Sequence, residues 1–178
     1  MKELIEHLRT NALRTDGPFV LRSGVESDWY LDARQTTYSG EGATLVGEAI
    51  LRVLDSTAVA VGGMTMGADP VALAVAMTGS QRHRPLRAFS IRQQVKDHGV
   101  GGRLVGPIVA GEAVAVVEDT VTTGDALLEA IDVLVEARIE VIQAVCIVDR
   151  SEGRANRRLG QRGIPFVALL RPADLGVE

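Results

Sequence analysis

The segment from Ala113 to Leu127 constrains the fold of this chain more than any other. Its leading residues, 113–117, are all aliphatic. A run without polar alternation is typical of a strand covered on both faces, as in a parallel sheet flanked by helices. Leu127, Ile131 and Leu134 then recur at the spacing of one helical face. The segment therefore predicts a strand, a loop and a helix, which is the repeating unit of an α/β fold.

Acidic and hydroxyl side chains occupy the predicted loop. Glu118 and Asp119 follow the strand, and Thr120, Thr122 and Thr123 come next. Ligands of open α/β sheets bind beyond the carboxyl ends of the strands, and the first N–H groups of a helix attract an anion such as a phosphate. The two carboxylates need a different partner, for which sugar hydroxyls or a bridging metal are suited. The alternative is an ordinary polar strand end with a threonine that caps the helix.

The size and charge of the chain limit its class. A chain of 178 residues with 46% hydrophobic content can bury one substantial core. We therefore expect a single domain over 1–178, with a small N-terminal segment or hood (1–40) and an α/β core (41–178). A net charge of -4 argues against a nucleic-acid or anionic-membrane partner, because those surfaces are recognised through basic excess. No stretch reaches the ~18 uninterrupted apolar residues of a membrane span.

The rest of the chain alternates between apolar runs and amphipathic segments, which favours a mainly parallel sheet flanked by helices. Phe19–Arg22 and Trp29–Asp32 are expected to pair as a hairpin around Ser23-Gly24. The segment from Arg92 to Gly106 is polar and rich in glycine, as is typical of a mobile loop. Helices are predicted over 1–14, 41–54, 70–77 and 151–161, and strands over 57–61, 87–91, 140–149 and 164–170.

The lone cysteine and the N-terminus predict the compartment. Cys146 lies in the apolar run 141–148, where it is expected to be a small buried hydrophobe and not half of a disulfide. Residues 1–14 carry Lys2, Glu3 and Glu6 among apolar residues, which indicates an amphipathic helix and not a signal peptide. We therefore expect a cytoplasmic protein.

Three segments resemble a known family. Residues 116–126, VVEDTVTTGDA, resemble the phosphoribosyl-diphosphate (PRPP) signature of the type I phosphoribosyltransferases, in which two acidic residues precede a phosphate loop. The run 92–102 has the pattern R-x-x-x-K-x-H-G and resembles the catalytic loop of the orotate phosphoribosyltransferase family. In isolation that run would be a solvated surface loop. Residues 19–24 and 29–32 are similar to the hood of the same family.

The resemblance implies a Mg²⁺-dependent transfer of the ribosyl 5-phosphate group from PRPP to orotate, in a homodimer whose loop 92–103 closes over the neighbouring subunit's site. It implies catalytic roles for Lys96, His98 and Asp119, and Mg²⁺ held mainly by PRPP with Glu118 and Asp119 in reach. PRPP binding is implied for Arg92, Gln93, Lys96, His98, Glu118, Asp119, Thr120, Val121, Thr122, Thr123, Gly124, Asp125 and Ala126. Orotate binding is implied for Arg22, Tyr30, Leu31, Thr122 and Arg150.

A second candidate anion loop lies at 62–67, between a predicted strand and a predicted helix. Its glycines have the spacing GxxxxG, but Ala68-Asp69 stands where a nucleotide-binding P-loop needs Lys and Ser or Thr. Beside the PRPP signature, we interpret this segment as a diphosphate loop. A simple tight turn is the alternative.

Three positions depart from the family pattern. Arg22 and Gln93 each stand where the family commonly has Lys, and Thr65-Met66 replaces a Tyr-Lys pair. The last two departures each remove a charge directed at the diphosphate. Two other functions therefore stay open: a phosphoribosyltransferase for another base, and a non-catalytic regulator that binds PRPP or a nucleotide on the same fold.

Overall fold

The computed structural model describes residues 1–20, 24, 26–96 and 102–178, with the backbone alone for residues 95 and 96. The chain begins with helix α1 (Lys2–Asn11). Four short strands follow: β1 (Leu13–Arg14), β2 (Phe19–Val20), β3 (Glu26–Ser27) and β4 (Tyr30–Leu31), and then the one-turn helix α2 (Arg34–Thr37).

The predicted N-terminal hairpin was wrong in its pairing. Strand β2 pairs with β3, while β4 pairs antiparallel with β1. The β1–β4 register sets Leu13 opposite Leu31, and the side chain of Leu31 is buried in the core. Burial of this leucine explains why Tyr30 and Leu31 return to the end of α1 instead of pairing with Phe19.

The core of the fold is a six-stranded sheet in the order β10-β9-β8-β5-β6-β7. All neighbouring strands are parallel except β7, which is antiparallel to β6. The strands are β5 (Ala60–Met64), β6 (Arg87–Lys96), β7 (Gly102–Val105), β8 (Ala113–Val121), β9 (Glu140–Asp149) and β10 (Phe166–Leu170). The predicted fold class, a mainly parallel sheet flanked by helices, is confirmed.

Helices cover both faces of the sheet. They are α3 (Gly40–Leu51), α4 (Ala68–Gln81), α5 (Asp125–Glu136) and α6 (Arg154–Gly160), followed by a 3₁₀ helix (Pro172–Leu175). Ala115 and Val117 of β8 pack in the same cluster as α1, α3 and α4, whereas Val114 and Val116 pack with α5 and α6. Successive side chains of a strand point to opposite faces, so a strand buried on both sides is aliphatic throughout. No helix in the described part of the chain is long and apolar enough to cross a membrane.

Three predicted boundaries were wrong at the edge of the sheet that carries the candidate site. Gly62 and Gly63 lie inside β5, where they pair with Phe89 and Ser90 of β6, and both are glycine because a Cβ on either would overlap a carbonyl oxygen of a neighbouring strand. The segment expected to be a loop from Arg92 onward is strand up to Lys96, and residues 102–105 pair with it; residues 97–101 lie outside the described residues. Strand β8 continues to Val121, because pairing with β9 persists past the acidic pair.

Candidate active site

A cleft of about 450 Å³ opens at the carboxyl ends of β5 and β8. Four segments far apart in the sequence form its walls: the chain around β4, the turn that leads from β5 into α4, β6 at Gln93, and the end of β8 with the start of α5. Its lining consists of Tyr30, Leu31, Asp32, Ala33, Arg34, Met64, Thr65, Met66, Gly67, Gln93, Glu118, Asp119, Thr120 and Ala126.

Two buried carboxylates form the floor of this cleft. Glu118 is 7% exposed and Asp119 is 9% exposed. The backbone N–H of Asp119 donates to Oε1 of Glu118 (3.2 Å), and the backbone N–H of Thr120 donates to Oδ1 of Asp119 (2.6 Å). Burial, and then the neighbouring Asp119 carboxylate, raise the pKa of Glu118 to about 9. The floor is thus disposed to accept a cation or hydroxyl groups.

The turn between β5 and α4 lies directly against these carboxylates. A Cβ on Gly67 would stand 2.5 Å from Oε1 of Glu118 and 3.0 Å from Oδ1 of Asp119, so the close approach requires glycine. Asp69 ties the start of α4 to β6, because its Oδ1 accepts a hydrogen bond from the Ser90 hydroxyl (2.6 Å). Gln93 donates from Nε2 to the carbonyl oxygen of Thr65 (3.3 Å). Sequence reasoning missed Asp69 and Ser90, which carry no recognisable motif.

The loop between β8 and α5 is held by its own hydroxyls and by a distant arginine. The Thr123 hydroxyl donates to Oδ2 of Asp125 (2.6 Å). Arg158, on α6, donates from Nη1 to the Thr123 carbonyl oxygen (2.8 Å) and to Oδ1 of Asp125 (2.6 Å). These two partners lower the pKa of Asp125, the Thr123 hydrogen bond contributing most. Gly124 has a φ of +86°, a left-handed conformation that favours glycine.

The first residue of α2 brings a cation into the cleft. Arg34 donates from Nε to Oδ1 of Asp32 (2.7 Å), and Gln35 donates to the other oxygen of the same carboxylate (3.2 Å). The hydrogen bond that Arg34 donates to Asp32 is the largest cause that raises the pKa of Arg34, and the charge of Asp119 also raises it. Among the described residues that line the cleft, Arg34 is the only lysine, arginine or histidine. Sequence reasoning missed it.

The remaining predicted site residues have different positions. Tyr30, Leu31 and Gln93 line the cleft, whereas Thr122 is exposed on the β8–α5 loop. Arg92 donates to the Gly102 carbonyl oxygen (3.3 Å) and is not among the residues that line the cleft. Arg22, His98 and the side chain of Lys96 lie outside the described residues. Thr120 and Ala126 line the cleft, and Val121, Thr123, Gly124 and Asp125 continue the same loop.

Arg150, at the end of β9, lies beside the cleft and not in its lining. Its backbone N–H donates to the Val121 carbonyl oxygen (2.7 Å), which ties the end of β9 to the end of β8. Its guanidinium carbon lies 4.2 Å from the ring centroid of Trp29. Both side chains line a neighbouring cavity of about 660 Å³.

Comparisons of the sequence and of the structure with known proteins all find phosphoribosyltransferases. Residues 42–163 match the family model described as a phosphoribosyl transferase domain. The chain is 40% identical to an orotate phosphoribosyltransferase of Streptomyces coelicolor, with 99% of this chain and 97% of the relative covered. The crystal structure of Mycobacterium tuberculosis orotate phosphoribosyltransferase in complex with Fe(III) dicitrate aligns with a TM-score of 0.85 at 35% identity, covering 98% of each chain. The same mycobacterial enzyme in complex with PRPP aligns with a TM-score of 0.80 at 32% identity, again covering 98% of each chain.

Proposed function

The chain belongs to the phosphoribosyl transferase domain family, and from that premise we propose that it is an orotate phosphoribosyltransferase. It transfers the ribosyl 5-phosphate group from PRPP to N1 of orotate, which gives orotidine 5'-monophosphate and diphosphate, a step of pyrimidine nucleotide synthesis. One observation carries the proposal: the acidic end of β8, the 64–67 turn and the chain around β4 line a single cleft. The sugar and the diphosphate each meet a suitable surface there, and Arg150 lies beside the cleft for the base.

The end of β8 and the start of α5 hold the sugar phosphate. The backbone N–H groups at the start of α5 and the hydroxyls of Thr120 and Thr122 receive the 5-phosphate, and the Thr123 hydroxyl, which donates to Asp125, holds the loop around it. Glu118 and Asp119 precede this loop in β8, in the floor of the cleft, and bind the ribose hydroxyls. The carboxylate of Asp119 also stabilises positive charge that develops on the ribose as the diphosphate departs.

Arg34 supplies positive charge for the diphosphate. The cleft contains the carboxyl groups of Asp32, Glu118 and Asp119, and a polyanionic substrate needs a cation beside them. Asp32 contacts Nε of Arg34, so the two terminal NH₂ groups remain available for a phosphate oxygen pair, the geometry that a guanidinium prefers. Arg34 thereby compensates for the cations that Gln93 and Met66 do not provide.

Mg²⁺ fits the donors of this site. Carboxylate oxygens of Glu118 and Asp119 are suited to a hard cation, and the described residues contain no group of three or more His, Cys, Asp or Glu that could hold a metal. Most ligands of the ion therefore come from PRPP and water. When bound, Mg²⁺ neutralises charge on the diphosphate leaving group.

The base binds between the β4 segment and the end of β9. Arg150 pairs with the orotate carboxylate in a bidentate manner, and Thr122 with the backbone of Tyr30 and Leu31 frames the ring. The bond from the anomeric carbon to the diphosphate oxygen breaks, its electron pair leaves on the diphosphate, and deprotonated N1 of orotate bonds to the carbon. The transition state has oxocarbenium character, so the chain mainly positions reactants and stabilises charge.

The 92–103 loop completes the site of a second subunit in a homodimer, with Lys96 and His98 beside the departing diphosphate and Arg92 at its base. This assignment rests on the family resemblance. Mixing Lys96→Ala with Arg150→Ala tests it, because subunit exchange creates one intact site from two defective chains. Activity that rises above both parents supports the shared site, and activity that stays at the parental level contradicts it. A cytoplasmic location remains a prediction, consistent with the lone buried thiol of Cys146.

A single assay tests the activity. The protein is incubated with PRPP and Mg²⁺, and the ultraviolet absorbance of orotate, hypoxanthine, adenine, uracil and xanthine is followed in separate reactions. Loss of orotate alone supports the proposal. Consumption of another base assigns a different phosphoribosyltransferase, and PRPP binding without consumption of any base assigns a regulator. Arg150→Ala is the matched variant, which should raise the KM for orotate far more than the KM for PRPP.

A further inference from the structure

The side chain of Trp29 is anchored beside the base site. The residue is 9% exposed, and its Nε1–H donates to a backbone oxygen of Glu178 (2.7 Å). The Ser27 hydroxyl donates to the carbonyl oxygen of Trp29 (2.8 Å). The indole is thus held through both its ring nitrogen and its backbone, with one face toward the Arg150 guanidinium at 4.2 Å.

Arg150 is charged, half-buried and without a carboxylate partner among the described residues. No Asp or Glu of the described chain lies within ion-pair distance of it, and Asp149, its neighbour in sequence, accepts a hydrogen bond from the Ser151 backbone instead (2.8 Å). A buried cation needs compensation. The π face of an indole provides it without using any of the guanidinium N–H groups.

We propose that Trp29 is a positioning residue that holds Arg150 ready for the carboxylate of orotate. A protein carboxylate in the same place would compete with the substrate for the guanidinium fork, whereas the aromatic face leaves all five N–H donors available. The inference rests on the proposed function, because Arg150 must act on an orotate carboxylate for the stacking to matter. It adds a residue to the base site that acts through Arg150 and does not touch the reacting atoms.

The test uses the fact that the chain has one tryptophan. Expression with mono-, di- or trifluorinated tryptophan therefore changes only Trp29. The fluorine atoms withdraw electron density from the indole ring and leave its shape almost unchanged. The KM for orotate should rise stepwise with fluorination, by about five- to thirty-fold over the series. The KM for PRPP and the kcat should stay constant. An orotate KM that stays flat across the series overturns the proposal.

Substitutions give a second readout. Trp29→Leu should raise the orotate KM in the wild-type background and have no further effect in Arg150→Ala, since the coupling between contacting residues disappears with the partner. Trp29→Phe keeps an aromatic face and should restore most of the orotate affinity. Equal effects of Trp29→Leu in both backgrounds contradict the proposal. A wild-type protein that does not consume orotate refutes the proposed function itself, whereas an active protein with uncoupled Trp29 refutes only this inference.

Discussion

Replacing Glu118 by glutamine should stabilise the protein without ligands at pH 8 and change its stability little near pH 5. Glu118 is buried beside Asp119 in the floor of the cleft, and its pKa is raised to about 9 from an ordinary 4.5. Between these values the folded protein keeps the proton that the unfolded chain releases. Stability therefore falls as pH rises through this window, because the unfolded state binds fewer protons than the folded state. Glutamine mimics the protonated acid and escapes the loss.

The magnitude follows from the single proton involved. One proton contributes at most about 1.4 kcal/mol per pH unit. From pH 6 to pH 8 the solution pH lies above the pKa of Glu118 in the unfolded chain and below its pKa in the folded protein. The stability gap between Glu118→Gln and wild type should therefore widen by about 3 kcal/mol over this range. For a domain of this size that corresponds to a gap in Tm of roughly 6 to 12 °C. Urea and thermal unfolding at pH 5, 6, 7 and 8 measure it.

Glu112→Gln is the matched control. Hydrogen bonds from Arg87 and from the Val109 backbone lower the pKa of Glu112, so this group titrates below the window and its replacement should cost the same at pH 6 and pH 8. The reasoning is refuted if the gap between Glu118→Gln and wild type stays constant from pH 6 to pH 8. It is also refuted if the Glu112→Gln control shows the same pH slope as Glu118→Gln.

Three further substitutions test the cleft. Arg34→Gln should raise the KM for PRPP about tenfold, the loss expected for a charge-assisted contact, with the orotate KM unchanged; Arg52→Gln is the control, and equal effects contradict the assignment. Gly67→Ala should lower kcat/KM strongly while Tm shifts little, because the new methyl group meets Oε1 of Glu118 at 2.5 Å; normal activity would disprove the close approach. Arg158→Gln should weaken PRPP binding by loosening the Thr123 and Asp125 contacts, as PRPP titration calorimetry would show, and an unchanged Kd would exclude this support.

The sequence predicted best what depends on neighbours along the chain. The aliphatic run at 113–117 marked β8, the predicted strand 140–149 coincides with β9, and the acidic pair with its threonine loop was placed at the correct edge of the sheet. Prediction from the sequence failed where contacts with neighbouring strands decide the local structure. Gly62 and Gly63 suggested a turn but lie inside β5. They are glycines because the adjacent strands leave no room for a Cβ.

Composition, periodicity and the PRPP signature by themselves determined the α/β class and the family resemblance, and they predicted a candidate site at the end of β8, because those patterns depend on residues close together in the chain. Only the tertiary structure decided which distant side chains join that site. Arg34 enters the cleft from the start of α2, Arg158 reaches the β8–α5 loop from α6, and Trp29 stacks on Arg150 although most of the sequence separates them. The physical reason is that the packing of separate elements, and not sequence distance, decides which side chains meet: β4 pairs with β1 outside the main sheet, while β8 lies between β5 and β9 within it.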